Sequence, residues 1–290
     1  MLRIWIQAAR LRTLPAAIAP VVIGVALAVR SSHFHFWAAA SALFGALIIQ
    51  IGTNFANDYF DFVKGTDNDD RIGPPRATQA GLVKPSTMKM AFILTFAALT
   101  PFAIYLSIRG GWPLALIGVL SVICGILYTG GPKPLGYLGL GDIFVLVFFG
   151  PVAVWGTDYV QGQELSWIPA IVGLAPGAIS TAILVVNNLR DKDTDIHTGK
   201  MTLAVRFGER FARIEYSLCL IVASLVPIGL AMTGHGPWAA SISLLFWIPA
   251  ISPLRSMWTE SGRDLDKNLG QTGRLLVIYS LLFTLGWCFG

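Results

Sequence analysis

Long apolar runs alternate along the chain with short polar connections. A helix crossing a bilayer needs about 20 mostly apolar residues. Nine runs meet that need, near 14–30, 36–56, 89–108, 112–128, 140–158, 167–187, 212–232, 237–253 and 273–290. The eighth is the weakest, because Pro237, Pro249 and Pro253 crowd it. Pro20, Pro101, Pro151, Pro176 and Pro227 fall inside other runs. Membrane helices tolerate such prolines because neighbouring helices and water satisfy the freed carbonyls. Gly150-Pro151 and Pro176-Gly177 therefore predict kinks. The expected fold class is an all-α membrane protein of about nine transmembrane helices. The opening Met1–Gln7 lacks a signal-peptide layout, so the first run is expected to be a retained helix.

The polar connections are asymmetric. Nine crossings put the two termini on opposite sides. With the N-terminus in the cytoplasm, all of the 21 Lys and Arg residues except Arg30 and Arg109 fall in cytoplasmic segments. That is the positive-inside pattern. Among the acidic residues only Asp158 and Glu164 fall outside. Composition narrows the field further: the chain is 54% hydrophobic and 13% charged, against about 25% charged in an ordinary soluble domain. A disordered chain and a typical cytosolic enzyme are excluded. The net charge of +5 sits in short loops rather than on one basic face, so nucleic acid is excluded as a partner. Cys124, Cys219 and Cys288 lie singly inside apolar runs, which gives neither a disulfide framework nor a zinc site.

Carboxylates concentrate in two of the cytoplasmic connections. The second run ends Asn57-Asp58-x-x-Asp61, followed by Lys64 and Asp67. The sixth ends Asn187-Asn188-Leu189-Arg190-Asp191, followed by Asp195 and Lys200. Aligning Asn57 with Asn187 places Asp61 on Asp191. This is a weak internal repeat of two four-helix units, about 14–130 and 140–255, plus a last helix at 273–290, within a single domain spanning 1–290. On a helix, residues three or four apart share a face, so Asn57 with Asp61, and Asp191 with Asp195, point the same way. Two such faces, if they converge, gather four or more carboxylate oxygens, and these repel strongly in a partly desolvated place. A hard divalent cation resolves the repulsion. Mg²⁺ typically takes one or two carboxylates together with substrate phosphates. Lys64, Arg76, Lys200 and Arg206 in or just after these loops suit an anion such as a diphosphate. One loop of this kind would read as solvated surface. Two, at equivalent points of a repeat, read as a site. Asp67-x-Asp69 resembles the opening of a calcium loop but lacks its glycine and terminal glutamate in register. Asp69, Asp70 and Asp193 read as solvated charges.

The pairing of Asn57-Asp58-x-x-Asp61 with Asp191-x-x-x-Asp195 resembles the UbiA superfamily of intramembrane prenyltransferases. Three further stretches are similar to its 1,4-dihydroxy-2-naphthoate polyprenyltransferase branch, which serves menaquinone synthesis. They are Gly73–Gly81, Tyr128–Tyr137, and Asn187–Asp191 continuing through Gly199–Arg206. The opening Arg10-Leu11-Arg12-Thr13-Leu14-Pro15 resembles that branch too. The likeness runs from about residue 8 to the end. One departure concerns the first motif, whose usual third Asp is Gly65 here, with Asp67 the next acid.

The resemblance implies nine helices around a central cavity. It also implies Mg²⁺ holding the diphosphate of a polyprenyl diphosphate between the two motifs, with Asp58, Asp61, Asp67, Asp191 and Asp195 as metal contacts. Asp61, Asp191, Asp195 and Tyr128 would act in catalysis. Asn57, Lys64, Arg76, Lys133, Lys200 and Arg206 would bind diphosphate. Arg12, Thr78, Gln79 and Asn187 would hold the acceptor, 1,4-dihydroxy-2-naphthoate. The implied product is a demethylmenaquinone-type lipid, made at the cytoplasmic face of a bacterial inner membrane, with the tail in membrane lipid. His197 reads as a surface residue. Alternatives from the same family are 4-hydroxybenzoate as acceptor or phytyl diphosphate as donor. A secondary transporter is the alternative from another class, disfavoured because the carboxylates cluster at one face.

Overall fold

The computed structural model describes residues 1–66 and 73–290. In a bilayer core no water is available to the backbone, so each apolar run satisfies its N–H and C=O groups internally, as helix. In chain order the helices are α1 (Leu2–Ala8), α2 (Leu14–Arg30), α3 (Phe36–Val63), α4 (Pro85–Ala98), α5 (Thr100–Leu127) and α6 (Gly141–Val147). They continue as α7 (Ala153–Gly162), α8 (Ile168–Arg190), α9 (Lys192–His197), α10 (Leu203–Met232), α11 (Trp247–Thr259) and α12 (Asp266–Phe289). No strand occurs among the described residues.

Seven segments among the described residues are long and apolar enough to cross a membrane, where the sequence predicts nine. Two local features account for the difference. The first lies within the 43-residue segment Pro85–Leu127, which turns back on itself at Gly111. The backbone there has φ 68° and ψ −161°, a conformation open to glycine. Before the turn, Phe92 meets Phe60 and Phe102 meets Phe44 (ring centroids 5.8 and 5.6 Å apart), so the chain runs antiparallel to α3. After it, Leu114 packs with Ala38, and Gly125 lies against Thr53. The chain has reversed and runs parallel to α3. The second feature is the proline-crowded run at 237–253. It folds as a 3₁₀ helix over Trp238–Phe246 and becomes α-helical only in α11. The turn at Gly111 and the 3₁₀ start of the 237–253 run bring the seven segments toward the expected count of about nine.

The core is centred on α8, two-thirds of whose apolar window is buried, against 17% for Pro85–Leu127. The outward faces carry Ile108, Trp112, Leu120 and Ile248, all exposed. Such extended apolar surface is incompatible with water. The protein is an integral membrane protein.

The two prolines expected to kink behave differently. α8 runs helically through Pro176. At Phe148–Val152 the chain forms a π-type bulge, with Gly150 at φ −126° and ψ −108°. The bulge presses against α8. A Cβ on Gly150 would lie 2.5 Å from the Gly173 carbonyl oxygen and 2.9 Å from the Gly177 Cα. Three glycines therefore let two backbones touch.

Arg30 and Arg109, the two cations predicted on the far side, both close helix ends. Arg30 donates to the Trp287 carbonyl at 2.9 Å, and Arg109 donates to Val160 and Gln161 at 2.7 and 2.8 Å. Cations there complement the negative end of a helix.

Candidate active site

A cavity of about 1280 Å³ opens between α2, α3, α5, α8 and the α6–α7 pass. Ile49, Val122, Phe148 and Ile183 give it apolar walls. Its polar rim is built from Asn57, Asp58, Asp61, Arg76, Asn187, Arg190 and Lys200. The inward ends of α3 and α8 thus meet at one rim, as the repeat predicts.

At the end of α3, Asn57, Asp58 and Asp61 are all buried. The Asn57 Oδ1 accepts from the Thr129 hydroxyl at 2.8 Å. Asp58 accepts from the Ala77 and Thr78 amides at 3.1 and 3.0 Å. That pair of bonds anchors the 76–78 turn, and with it Arg76, on the cavity. Asp61 Oδ1 accepts from the Tyr137 hydroxyl at 3.0 Å. Lys64 turns outward, donating to the Gly131 carbonyl at 2.8 Å and lying 5.1 Å from the Tyr137 ring centre. Desolvation pulls the Lys64 ammonium below the usual lysine range, partly offset by the Asp61 charge.

At the end of α8, Arg190 holds Asp191 in a two-armed pair, Nε to Oδ1 and Nη2 to Oδ2, both 2.8 Å. Its remaining donors reach Asn187 Oδ1 at 2.8 Å and Asp266 Oδ1 at 2.9 Å. Asn187 keeps its amide donors for the cavity that it lines. Asp191 ends α8 at φ −92° and ψ 5°, and its carbonyl still accepts from the Asp195 amide at 2.8 Å, which keeps the two residues one turn apart. Asp195 pairs with Lys200 at 3.4 Å through Oδ1, while its Oδ2 is buried with no hydrogen-bond partner among the described residues.

Burial pushes the Asp195 carboxyl up to about 6, against the pull of Lys200, and repulsion from Asp191 and Asp61 adds to the rise. The influence of Asp61 on Asp195 brings the two motifs within electrostatic reach. Among the described residues no three His, Cys, Asp or Glu side chains converge tightly enough to form a metal cage. The donor chemistry nonetheless fits a hard cation. The buried Asp195 Oδ2 is a hard oxygen donor with no hydrogen-bond partner among the described residues, and Mg²⁺ accepts an incomplete protein shell filled by water and phosphate. Asp67 lies outside the described residues.

The N-terminal segment forms one wall. Asn54 donates to the Ala9 carbonyl and to Thr13 at 3.0 and 3.1 Å, and Gln50 donates to Thr13 at 3.0 Å. These bonds hold Arg10 and Arg12 against the cavity, which both line. Arg12 lies 3.9 Å from Asp266. Tyr128 also lines the cavity. It fits between glycines, since a Cβ on Gly136 would sit 3.2 Å from its ring and one on Gly141 2.8 Å from its hydroxyl.

Not every sequence candidate lines the cavity: Asp191, Asp195 and Lys64 stand beside lining residues without lining it themselves. Lys133 is exposed and absent from the cavity wall. Arg206 is exposed and donates to the Met201 carbonyl at 3.0 Å, so its charge stays outside the cavity. Thr78 is buried but serves Asp58 through its amide, and neither it nor Gln79 lines the cavity. His197 is exposed, as expected. The structure adds Arg10, Arg190 and Asp266 to the rim. Asp142, 4% exposed, does not line the cavity, and its carboxylate oxygens have no hydrogen-bond partner among the described residues. Arg190 was legible as the neighbour of Asp191. Asp266 carried no sequence signal, being far from either motif.

Comparison with known proteins agrees with this geometry. Residues 17–285 match the UbiA prenyltransferase family. A 1,4-dihydroxy-2-naphthoate octaprenyltransferase of Mycobacterium tuberculosis is 38% identical over 288 residues, covering 99% of this chain and 97% of the relative. The protein of the same name from Escherichia coli is 44% identical over 234 residues, covering 78% and 75%. A solved UbiA homologue from Archaeoglobus fulgidus, bound to GPP and Mg²⁺, superposes with a TM-score of 0.72 at 13% identity, covering 98% of each chain. The family match and the extent of the shared sequence show that the chain belongs to the UbiA prenyltransferase family.

Proposed function

We propose that the protein transfers a polyprenyl group from an isoprenyl diphosphate to 1,4-dihydroxy-2-naphthoate with loss of CO₂; its relatives are named as octaprenyltransferases of that acceptor. The observation that carries the reading is the common rim. Asn57 and Asp61 from α3 face Asn187 and Lys200 from the α8 side, above a deep apolar cavity.

Asp58, Asp61, Asp191 and Asp195, with Asp67, are the carboxylates that would hold Mg²⁺. When bound, the metal neutralises diphosphate charge and stabilises the leaving group. Lys200 and Arg76 border the cavity and contact the phosphate oxygens, Arg76 in two-armed fashion. Asn57 supports the same oxygens, while Lys64, Lys133 and Arg206 contribute positive field from outside. The allylic C–O bond breaks and its electron pair leaves with the diphosphate. The naphthoate ring carbon bearing the carboxylate then bonds to the allylic carbon. The bond to the carboxyl carbon breaks, CO₂ departs, and its electron pair restores the aromatic ring. The product is the hydroquinone of a demethylmenaquinone. Tyr128 presents its ring to the developing cation. Arg12 and Asn187 orient the acceptor, with Thr78 and Gln79 shaping the turn beside it. The apolar walls keep water from the cation.

The distribution of Lys and Arg supports a cytoplasmic site in a bacterial inner membrane. The same reading treats residues 1–290 as one domain of two four-helix repeats and a final helix. The test offers dihydroxynaphthoate and 4-hydroxybenzoate together to purified protein with a polyprenyl diphosphate and Mg²⁺, and reads products by mass spectrometry. Prenylated, decarboxylated naphthoate is expected. Prenylated benzoate alone would overturn the acceptor, and no prenyl product with either would overturn the activity.

A further inference from the structure

Tyr137 joins the two acidic motifs, although it belongs to neither. It lies in the connection between α5 and α6. Its hydroxyl donates to Asp61 Oδ1 at 3.0 Å, and it also hydrogen-bonds to the Thr66 hydroxyl. A phenol has one proton. With that proton on the carboxylate side, the Thr66 hydroxyl must be the donor to the Tyr137 oxygen. The order Thr66 to Tyr137 to Asp61 is therefore set, and the phenol reaches the carboxylate only as a donor. On the other side of the residue, the Tyr137 carbonyl accepts from the Met201 amide at 3.1 Å. Met201 follows Lys200, the partner of Asp195.

Two further contacts hold the tyrosine in place. The Lys64 ammonium lies 5.1 Å from the ring centre and is tied to the Gly131 carbonyl of the same connection. Gly139 lies two residues on at φ +72°, and a Cβ there would stand 2.9 Å from the Met201 carbonyl oxygen. The connection is thus sewn to the end of α3 at one edge and to the segment after α9 at the other.

We propose that Tyr137 is a positioning residue for the metal–diphosphate site. Its phenol fixes which way the Asp61 carboxylate faces, and its backbone sets the distance of that carboxylate from Asp195 and Lys200. The inference rests on the proposed function, in which Asp61 is a metal ligand. A partner that orients a ligating carboxylate typically changes metal affinity by about 10- to 100-fold when removed. A residue that served only packing would leave metal affinity alone once the ring is kept.

The test compares Tyr137→Phe with the parent protein in detergent. The phenylalanine keeps the ring beneath Lys64 and the backbone bond to Met201, and removes only the hydroxyl. Binding of a prenyl thiolodiphosphate, an analogue that does not turn over, is measured by calorimetry across a Mg²⁺ series. The expected result is an apparent Mg²⁺ affinity weaker by about 10-fold. Thermal unfolding in the absence of metal should be close to the parent's, and KM for the naphthoate unchanged. Asp61→Asn and Asp61→Asn/Tyr137→Phe should then bind Mg²⁺ equally, because the hydroxyl acts through Asp61. Parent-like Mg²⁺ dependence in Tyr137→Phe overturns the proposal and leaves the site reading standing. Additive losses in the double variant overturn it as well. If the parent itself binds the analogue without any Mg²⁺ dependence, both readings fall together.

Discussion

Arg190 grips the carboxylate of its own chain neighbour, Asp191, with two bonds of 2.8 Å. Adjacent helical residues ordinarily point apart, and the pair closes because α8 ends there and the Asp191 backbone leaves helical geometry. The same guanidinium reaches Asp266 at the start of α12 and Asn187 one turn back. One cation therefore joins the second motif to the last pass of the bundle.

Replacing Arg190 with methionine removes the two-armed pair that it makes with the buried Asp191. Removing one member of a buried pair costs about 3–5 kcal/mol. The partly exposed Asp266 contributes little of that, because solvent screens it. The expected outcome is a clear fall in thermal midpoint in detergent, read by intrinsic fluorescence. A midpoint equal to the parent's would show that the pair carries no stability.

Asp195 predicts a dependence on pH. Its carboxyl titrates near 6 in the fold, against 3.8 when unperturbed, so the folded state holds the proton more tightly than the unfolded one. Metal-free stability therefore falls as pH rises from about 4 to about 6. Asp195→Asn removes that penalty. It should raise the metal-free thermal midpoint at pH 7 and lose the advantage below pH 4. Added Mg²⁺ should stabilise the parent more than the variant. A variant less stable than the parent at pH 7 without metal would contradict the electrostatics.

Asp61→Ala should lower the rate of prenyl transfer by at least about 100-fold, in line with loss of a group that organises transition-state charge. The fold should persist, since the side chain borders a cavity. Initial rates and a thermal scan on the same preparation separate the two effects.

Gly173→Ala tests the touching backbones. Its Cβ would stand 2.6 Å from backbone atoms of Gly150 and Pro151, and no flexible side chain is there to yield. Overpacking of this kind costs about 1–3 kcal/mol, to be read as a lower thermal midpoint. Gly118→Ala, with open space around it, is the matched control and should be neutral.

Much of this was legible in the residues. Apolar runs of bilayer length, the side on which Arg and Lys gather, and the Asn-to-Asp spacing at two equivalent helix ends are local properties. Each follows from backbone satisfaction in lipid or from helical periodicity, and each needs no knowledge of neighbours. The same locality explains the limits. Lys133 and Arg206 were read as diphosphate contacts because they sit beside the motifs in sequence, yet both are exposed and neither lines the cavity. Asp266 escaped notice because Arg190 and Arg12, which it pairs with at the rim, are far from it in sequence.

By itself the sequence determined that the chain crosses a membrane as helices and carries paired carboxylate motifs on one side, since hydropathy, charge placement and spacing are written residue by residue. Only the tertiary structure decided that Tyr137 reaches Asp61, that Arg190 ties Asp191 to Asp266, and that Gly150 lies against Gly173 and Gly177. Those pairings depend on which helix faces pack together. Packing is set by the shapes of surfaces assembled from distant parts of the chain, and no local pattern records it.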